Sequence, residues 1–128
     1  MKILLDTHTF IWFVMDNSTL SSQAAGLIRN PDNEVLVSAA TVWEIAIKMS
    51  LGKLNMAATF DQLFPAQLQV NDMTLLPIEV THLAHVATLP WHHRDPFDRL
   101  LIAQSIIENT PILSRDPAFD RYTIKRLW

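Results

Sequence analysis

The apolar residues of this chain fall into short runs, each followed by helix-patterned stretches. That order is the strongest constraint on what the chain can fold into. Ile3 to Leu5, Glu34-Val35-Leu36-Val37, Leu75-Leu76-Pro77-Ile78 and Ile112-Leu113 read as strands, and Thr123-Ile124 as a further edge-strand candidate. Between them, Thr7 to Met15 reads as a helix or turn-helix, and Ser21 to Arg29 as a helix stopped near Asn30-Pro31. Ala40 to Leu51 is amphipathic, with Gly52 just past its end as a stop signal. Thr59 to Gln69 reads as helical but carries Pro65 inside it, and Val80 to Thr88 reads as a helix. In Pro96 to Glu108, Asp95 can cap the helix and Pro96 fits its first position. The order β-α-α-β-α-α-β-α-α-β has crossovers long enough for parallel pairing. The expected architecture is therefore a three-layer α/β/α fold around a short, mainly parallel central sheet. At 128 residues the chain is one domain's worth, so 1–128 is expected to form a single domain.

In a parallel sheet, ligands collect beyond the carboxyl ends of the strands. Acidic residues fall there from both ends of the sequence: Asp6 closes the first apolar run, Asp116 follows the last, and Glu44, Asp95 and Asp98 lie at or near the starts of two helices. Each has a structural alternative. Asp6 suits an N-cap. Thr41-Val42-Trp43-Glu44 has the spacing of a capping box, and Glu44 can pair with Lys48 one turn on. Asp95 is a natural cap and Asp98 a first-turn acid, yet Leu101 and Ile102 continue the face that Asp98 begins. Asp116 precedes Pro117 and can cap a short last helix, while Asp120 reads as a solvated helix acid. Taken together the acids suggest more than caps. Carboxylates crowded into one place repel unless a cation joins them, and oxygen-only ligation suits Mg²⁺ or Mn²⁺. A metal-dependent enzyme acting on phosphates is the first hypothesis.

Composition removes several other classes. There is no cysteine, so disulfides, thiolate catalysis and cysteine-bound zinc are out. Two glycines leave no Gly-rich phosphate loop. A net charge of −3 argues against a protein that coats duplex nucleic acid, although bound metal reverses the local field. Asp6 interrupts the apolar start, and the run Phe10 to Met15 is far short of a membrane span, so a soluble cytoplasmic protein without membrane contact is expected. The histidines carry no H-E-x-x-H spacing. His92 and His93 read as rim residues, His82 and His85 as a surface feature or a metal pair, and His8 as a pocket-lining residue.

The segments Leu4-Leu5-Asp6-Thr7-His8, Val42-Trp43-Glu44-Ile45-Ala46-Ile47-Lys48, His93-Arg94-Asp95-Pro96-Phe97-Asp98-Arg99-Leu100-Leu101-Ile102-Ala103-Gln104 and Leu113-Ser114-Arg115-Asp116 resemble PIN domains. They look most like the VapC-type toxins of bacterial toxin–antitoxin pairs, almost end to end and in the same order. The resemblance implies a PIN-like fold and a Mg²⁺-dependent endoribonuclease, with Mn²⁺ as an alternative ion. It places Asp6, Glu44, Asp98 and Asp116 in the family's acidic cluster as catalytic and metal-binding residues. Ser114 matches a Thr or Ser position before the last acid, and Thr7 and Asp95 belong to the surrounding motifs. The implied chemistry is attack of a metal-activated water on a backbone phosphorus, leaving a 5′-phosphate and a 3′-hydroxyl. The implied partners are an RNA substrate, a small antitoxin protein and a second copy in a homodimer.

Rival readings are weaker. A phosphotransfer enzyme of the haloacid dehalogenase type wants a second Asp two residues after the first, where this chain has His8. A response-regulator receiver wants a paired acid and a late strand-end lysine, and neither is evident. The alternative from another class is a catalytically silent PIN-like module that acts through protein partners. Phe10 to Val14 are consecutive bulky apolar residues, which a helix cannot turn toward one core. Together with Trp43 they are expected to include a contact to a dimer mate or an antitoxin.

Overall fold

The computed structural model describes residues 1–128. Five strands, β1 (Lys2–Leu5), β2 (Glu34–Ser38), β3 (Met73–Leu76), β4 (Ile112–Leu113) and β5 (Arg126–Leu127), form one sheet. Every pairing is parallel, and the order across the sheet is β3-β2-β1-β4-β5. The helices are α1 (Thr7–Val14), α2 (Ser22–Arg29), α3 (Ala39–Ser50), α4 (Phe60–Leu63), α5 (Ala66–Val70), α6 (Val80–Thr88) and α7 (Pro96–Ile107), followed by a 3-10 helix at Pro117–Arg121.

Alternation along the strands divides the core into two halves. Ile3, Leu5, Val35, Val37, Met73 and Leu113 turn to one face, where they pack with Phe10, Ile11, Ile28, Ile45, Leu63 and Leu68 from α1 to α5. Leu4, Leu36, Leu76 and Ile112 turn to the other face and meet Leu101, Ile102, Phe119 and Tyr122. The sheet is thus covered on both sides, which is the three-layer arrangement expected.

Local chemistry sets the element ends, and in four places it differs from the pattern-based expectation. Residue Phe64 is held extended (φ −122°, ψ 133°) because it precedes Pro65, so the expected helix over Thr59 to Gln69 is two short helices. Strand β3 begins at Met73 and stops before Pro77, two residues earlier than expected. Strand β5 lies at Arg126–Leu127 and not at Thr123-Ile124, because its pairing to Ile112 and Leu113 fixes it. The cap of α3 is Ser38, not a box between Thr41 and Glu44. The stop at Gly52 does occur: its φ is +67° and its amide donates to the Met49 carbonyl.

A buried polar seam joins the layers. Ser38 Oγ accepts from the Ala40 amide (3.0 Å) and donates to Gln104 Oε1 (2.5 Å). Gln104 Nε2 donates to the Pro77 carbonyl (3.2 Å) and lies 3.4 Å from His82 Nδ1. His82 is fully buried, its Nδ1 accepting from the Glu79 amide, so it belongs to the packing of α6 on α7 and not to a surface or metal pair with His85. Ser38→Ala removes a helix cap and orphans Gln104 Oε1. It is expected to lower stability by about 1–2 kcal/mol in denaturant melts, and an unchanged midpoint would contradict this role.

Candidate metal centre

The chain starts in the middle of the sheet, steps to one side through β2 and β3, then returns to fill the other side with β4 and β5. Strand order reverses between β1 and β4, the kind of crevice in which open α/β sheets bind ligands. Because Leu5 pairs with Leu113, the next residues leave the two strands side by side. Asp6 caps α1 by accepting the Thr9 amide at Oδ1 (2.7 Å), and its Oδ2 accepts from Ser114 Oγ (2.5 Å). Ser114 Oγ in turn accepts the Asp116 amide (3.0 Å), so one hydroxyl couples the two acids. Asp116 caps the 3-10 helix through Oδ1 (2.9 Å to the Ala118 amide) and is exposed.

Helix α3 brings the third acid. Glu44 is 4% exposed although it is charged. Its Oε1 accepts from Thr7 Oγ1 (2.8 Å), and Lys48 Nζ sits 2.7 Å from its Oε2. Thr41 serves this arrangement as well, with its hydroxyl 3.2 Å from that of Thr7. A buried carboxylate needs such partners, since an unpaired one is strongly disfavoured.

Helix α7 brings the fourth. Asp95 Oδ1 accepts the amides of Phe97 (2.8 Å) and Asp98 (3.2 Å), which makes Asp95 the cap of α7. Asp98 then points its carboxyl toward the others. Burial, followed by the charges of Asp95, Asp6, Glu44 and Asp116, pushes its pKa from 3.8 up to about 8. All four acids therefore act on one carboxyl. They do not converge equally tightly: Asp98, Asp116 and His93 each offer a ligand atom within 4.8 Å of one another, whereas Asp6 and Glu44 are held back by the partners just described. Oxygen donors clustered until one of them resists ionising are a donor set that fits a hard divalent cation.

A profile of the PIN domain matches residues 3–125. The chain belongs to the PIN domain family. Its fold is also that of solved structures of low sequence identity. Among them is VapBC2 from Rickettsia felis, solved bound to a fragment of promoter DNA. It has a TM-score of 0.73 and 13% identity, covering 100% of this chain and 99% of that one. FitAcB from Neisseria gonorrhoeae gives 0.71 with 18% identity, covering 98% of this chain and 96% of that one. VapBC-1 from nontypeable Haemophilus influenzae gives 0.69 with 17% identity, covering 99% and 97%. No curated protein sequence matches the chain. No helix of this PIN domain is long and apolar enough to cross a membrane.

One residue of this PIN domain's centre was not assigned to it from the sequence. His93, expected at the rim, has its Nε2 2.9 Å from Asp98 Oδ2, at ion-pair distance but without the alignment of a hydrogen bond. Its Nδ1 accepts the Asp95 amide (3.2 Å), which puts the proton of the neutral ring on Nε2, facing Asp98. The signal is the spacing His93-Arg94-Asp95: two residues before a helix cap, a side chain can reach the cap's own amide. Arg99 is the support behind it. Its guanidinium is buried, donates to the carbonyls of Leu89 (3.1 Å), Pro90 (2.9 Å) and His93 (3.3 Å), and lies 3.7 Å from the centre of the Trp91 ring. His8 is exposed against Trp12 and makes no bond to the acids. Asp120 is an exposed acid of the 3-10 helix, as expected, and Arg126 grips it with two bonds of 2.9 Å and holds its pKa below the usual value.

Proposed function

We propose that residues 1–128 are a single nuclease domain, a Mg²⁺-dependent endoribonuclease that acts in the cytoplasm as the toxin of a toxin–antitoxin pair, with Mn²⁺ as an alternative ion. The observation that carries this reading is the gathering of acids beyond β1 and β4: the Ser114 hydroxyl links Asp6 to Asp116, Asp98 offers a ligand atom within 4.8 Å of Asp116, and burial first, then the surrounding carboxylates, pushes the Asp98 pKa up to about 8. Carboxylates gathered in this way suit a bound cation. Membership of the PIN family and a fold shared with VapBC structures support the same reading.

In this reading Asp6, Glu44, Asp98 and Asp116 hold the cation. When bound, it supplies an activated water and neutralises charge on the phosphate. Ser114 orients Asp6, Thr7 orients Glu44, and Asp95 aims Asp98 by fixing the first turn of α7. Lys48 places a cation against Glu44 at 2.7 Å, the same substitution that an arginine or lysine of an antitoxin would make to block the site. The chain is proposed to form a homodimer. Exposed Leu75, Val80 and Leu83 provide apolar surface for protein contacts.

The purified chain is expected to cut single-stranded RNA with Mg²⁺ or Mn²⁺, to stop on addition of EDTA, and to be inhibited by its antitoxin. RNA left intact by a folded, metal-loaded sample would sink this reading in favour of the silent binding module.

A further inference from the structure

Beside the acids lies a groove that shares Glu44 with the metal centre and extends away from it. It encloses about 260 Å³ between the end of α3 and the start of α7. Ile47, Leu51, Pro96 and Phe97 form its apolar walls, Lys48 and Lys53 lie along it, and Glu44 and Asp95 border it on the acidic side. Phe97 meets Trp43 edge-on at a centroid distance of 5.1 Å. Trp43 is 57% exposed and Leu51 60%, although most large apolar side chains of this chain are covered. Of the other bulky candidates, Trp12 packs against Trp128, Phe13 lies under Arg29, and Trp91, although 77% exposed, has one face taken by Arg99. An exposed tryptophan set edge-on against a half-buried phenylalanine, next to two lysines and a carboxylate centre, is the odd feature of this surface.

We propose that this groove and the Trp43 ring at its rim form a nucleotide subsite, which receives the RNA residue adjacent to the scissile phosphate, with its base on the exposed face of Trp43 and its phosphate on Lys48 and Lys53. The proposal rests on the nuclease reading of the neighbouring acids. Bases stack on aromatic faces whatever their sequence, and lysines track the backbone. The charge logic is local. Lys48 is engaged at Glu44, while Lys53 makes no ion pair. A strand whose scissile phosphate is held at the acids through a cation gains from cationic and stacking contacts one nucleotide away, where this groove begins. A purely acidic or purely apolar groove would suit a basic or greasy peptide instead; this one offers ammonium groups and flat rings together.

The test is the affinity for a fluorescein-labelled single-stranded RNA 8-mer, read by anisotropy with Ca²⁺ in place of Mg²⁺ on a probe shown by gel to stay intact, so that a cation is available to the acids while the probe is not consumed. Trp43→Ala is expected to weaken binding about tenfold, and Trp43→Phe to restore most of it. Lys53→Gln is expected to weaken binding a few-fold and to reduce the salt dependence by about one phosphate contact. Lys125→Gln, which removes the same charge from the residue just before β5, is the control and is expected to leave affinity unchanged. Binding by Trp43→Ala and Lys53→Gln within twofold of the unsubstituted chain would overturn the subsite. So would a dimer or antitoxin interface that shields Trp43 and competes with RNA at none of these residues. The two readings fail separately. Loss of affinity in these variants with no metal-dependent cleavage overturns the nuclease and leaves the subsite, whereas unaltered affinity in a chain that cleaves overturns the subsite alone.

Discussion

Asp98→Asn is expected to reduce metal-dependent RNA cleavage by at least about a hundredfold, the scale of losing one preorganised electrostatic stabiliser, while making the metal-free protein more stable at neutral pH. The two effects come from one cause. In the folded protein burial first, then the charges of Asp95, Asp6, Glu44 and Asp116, pushes the Asp98 pKa up to about 8, so the site resists its ionisation. Asparagine keeps the shape and removes the charge. The amide of Asp98 is still gripped by Asp95, so α7 starts where it did. Asp6→Asn should abolish cleavage too, but without the gain in stability. Its Oδ1 cap on Thr9 is a role that asparagine fills well. The bond from Ser114 is different: an amide nitrogen facing Ser114 Oγ must donate where the carboxylate accepted. Were all these acids only caps, both asparagine variants would cut RNA normally. Cleavage assays with Mg²⁺, paired with melts in EDTA, distinguish the cases, and retained cleavage in both variants would end the metal-centre assignment.

The acids could be found in the sequence because the cap of a helix and the ligand at a strand end occupy the same place. Asp6, Asp95 and Asp116 all turn out to be caps, and Asp6 and Asp116 also face Asp98. The two readings of each acid were never exclusive. Strands and helices were readable where several signals agreed, as at Asp95-Pro96 and at Gly52. The edge strands were readable less well: β3 overlaps the expected run only at Leu75 and Leu76, and β5 lies outside the expected one. Strand β5 is two half-buried residues whose place is set by Ile112 and Leu113 across the ladder, information that no local pattern contains. His82 and His93 were misplaced for the same kind of reason. Burial of His82 depends on α6 packing against α7, and the position of His93 depends on Arg99 pulling its carbonyl while Tyr122 Oη accepts its amide. Thr41 looked like half of a capping box but spends its hydroxyl on Thr7, a residue 34 positions away.

The pH dependence of stability gives the second test, and its sign is opposite to that of a salt-bridged acid. Asp98 has a folded-state pKa of about 8 against 3.8 for the free side chain. Between those values the native state binds a proton that the unfolded chain has lost. Stability of the metal-free protein must therefore fall as pH rises through that window, by as much as about 1 kcal/mol per pH unit for a single such group, and level off above it. An acid with a depressed pKa would do the reverse. Divalent metal competes with the proton for the same oxygen, so it should restore most of the loss. The melting temperature in EDTA is expected to decline from about pH 5 to pH 8, and the increment from millimolar Mg²⁺ to grow over the same range. Asp98→Asn should flatten the EDTA profile and shrink the Mg²⁺ increment, because it removes both the titrating group and a ligand. Glu44→Gln should relieve part of the repulsion and weaken the Mg²⁺ effect while leaving Asp98 to titrate. If the EDTA profile of the unsubstituted chain is flat from pH 5 to 8 and Mg²⁺ moves it nowhere, the carboxylates do not share a site, whatever their positions along the strands.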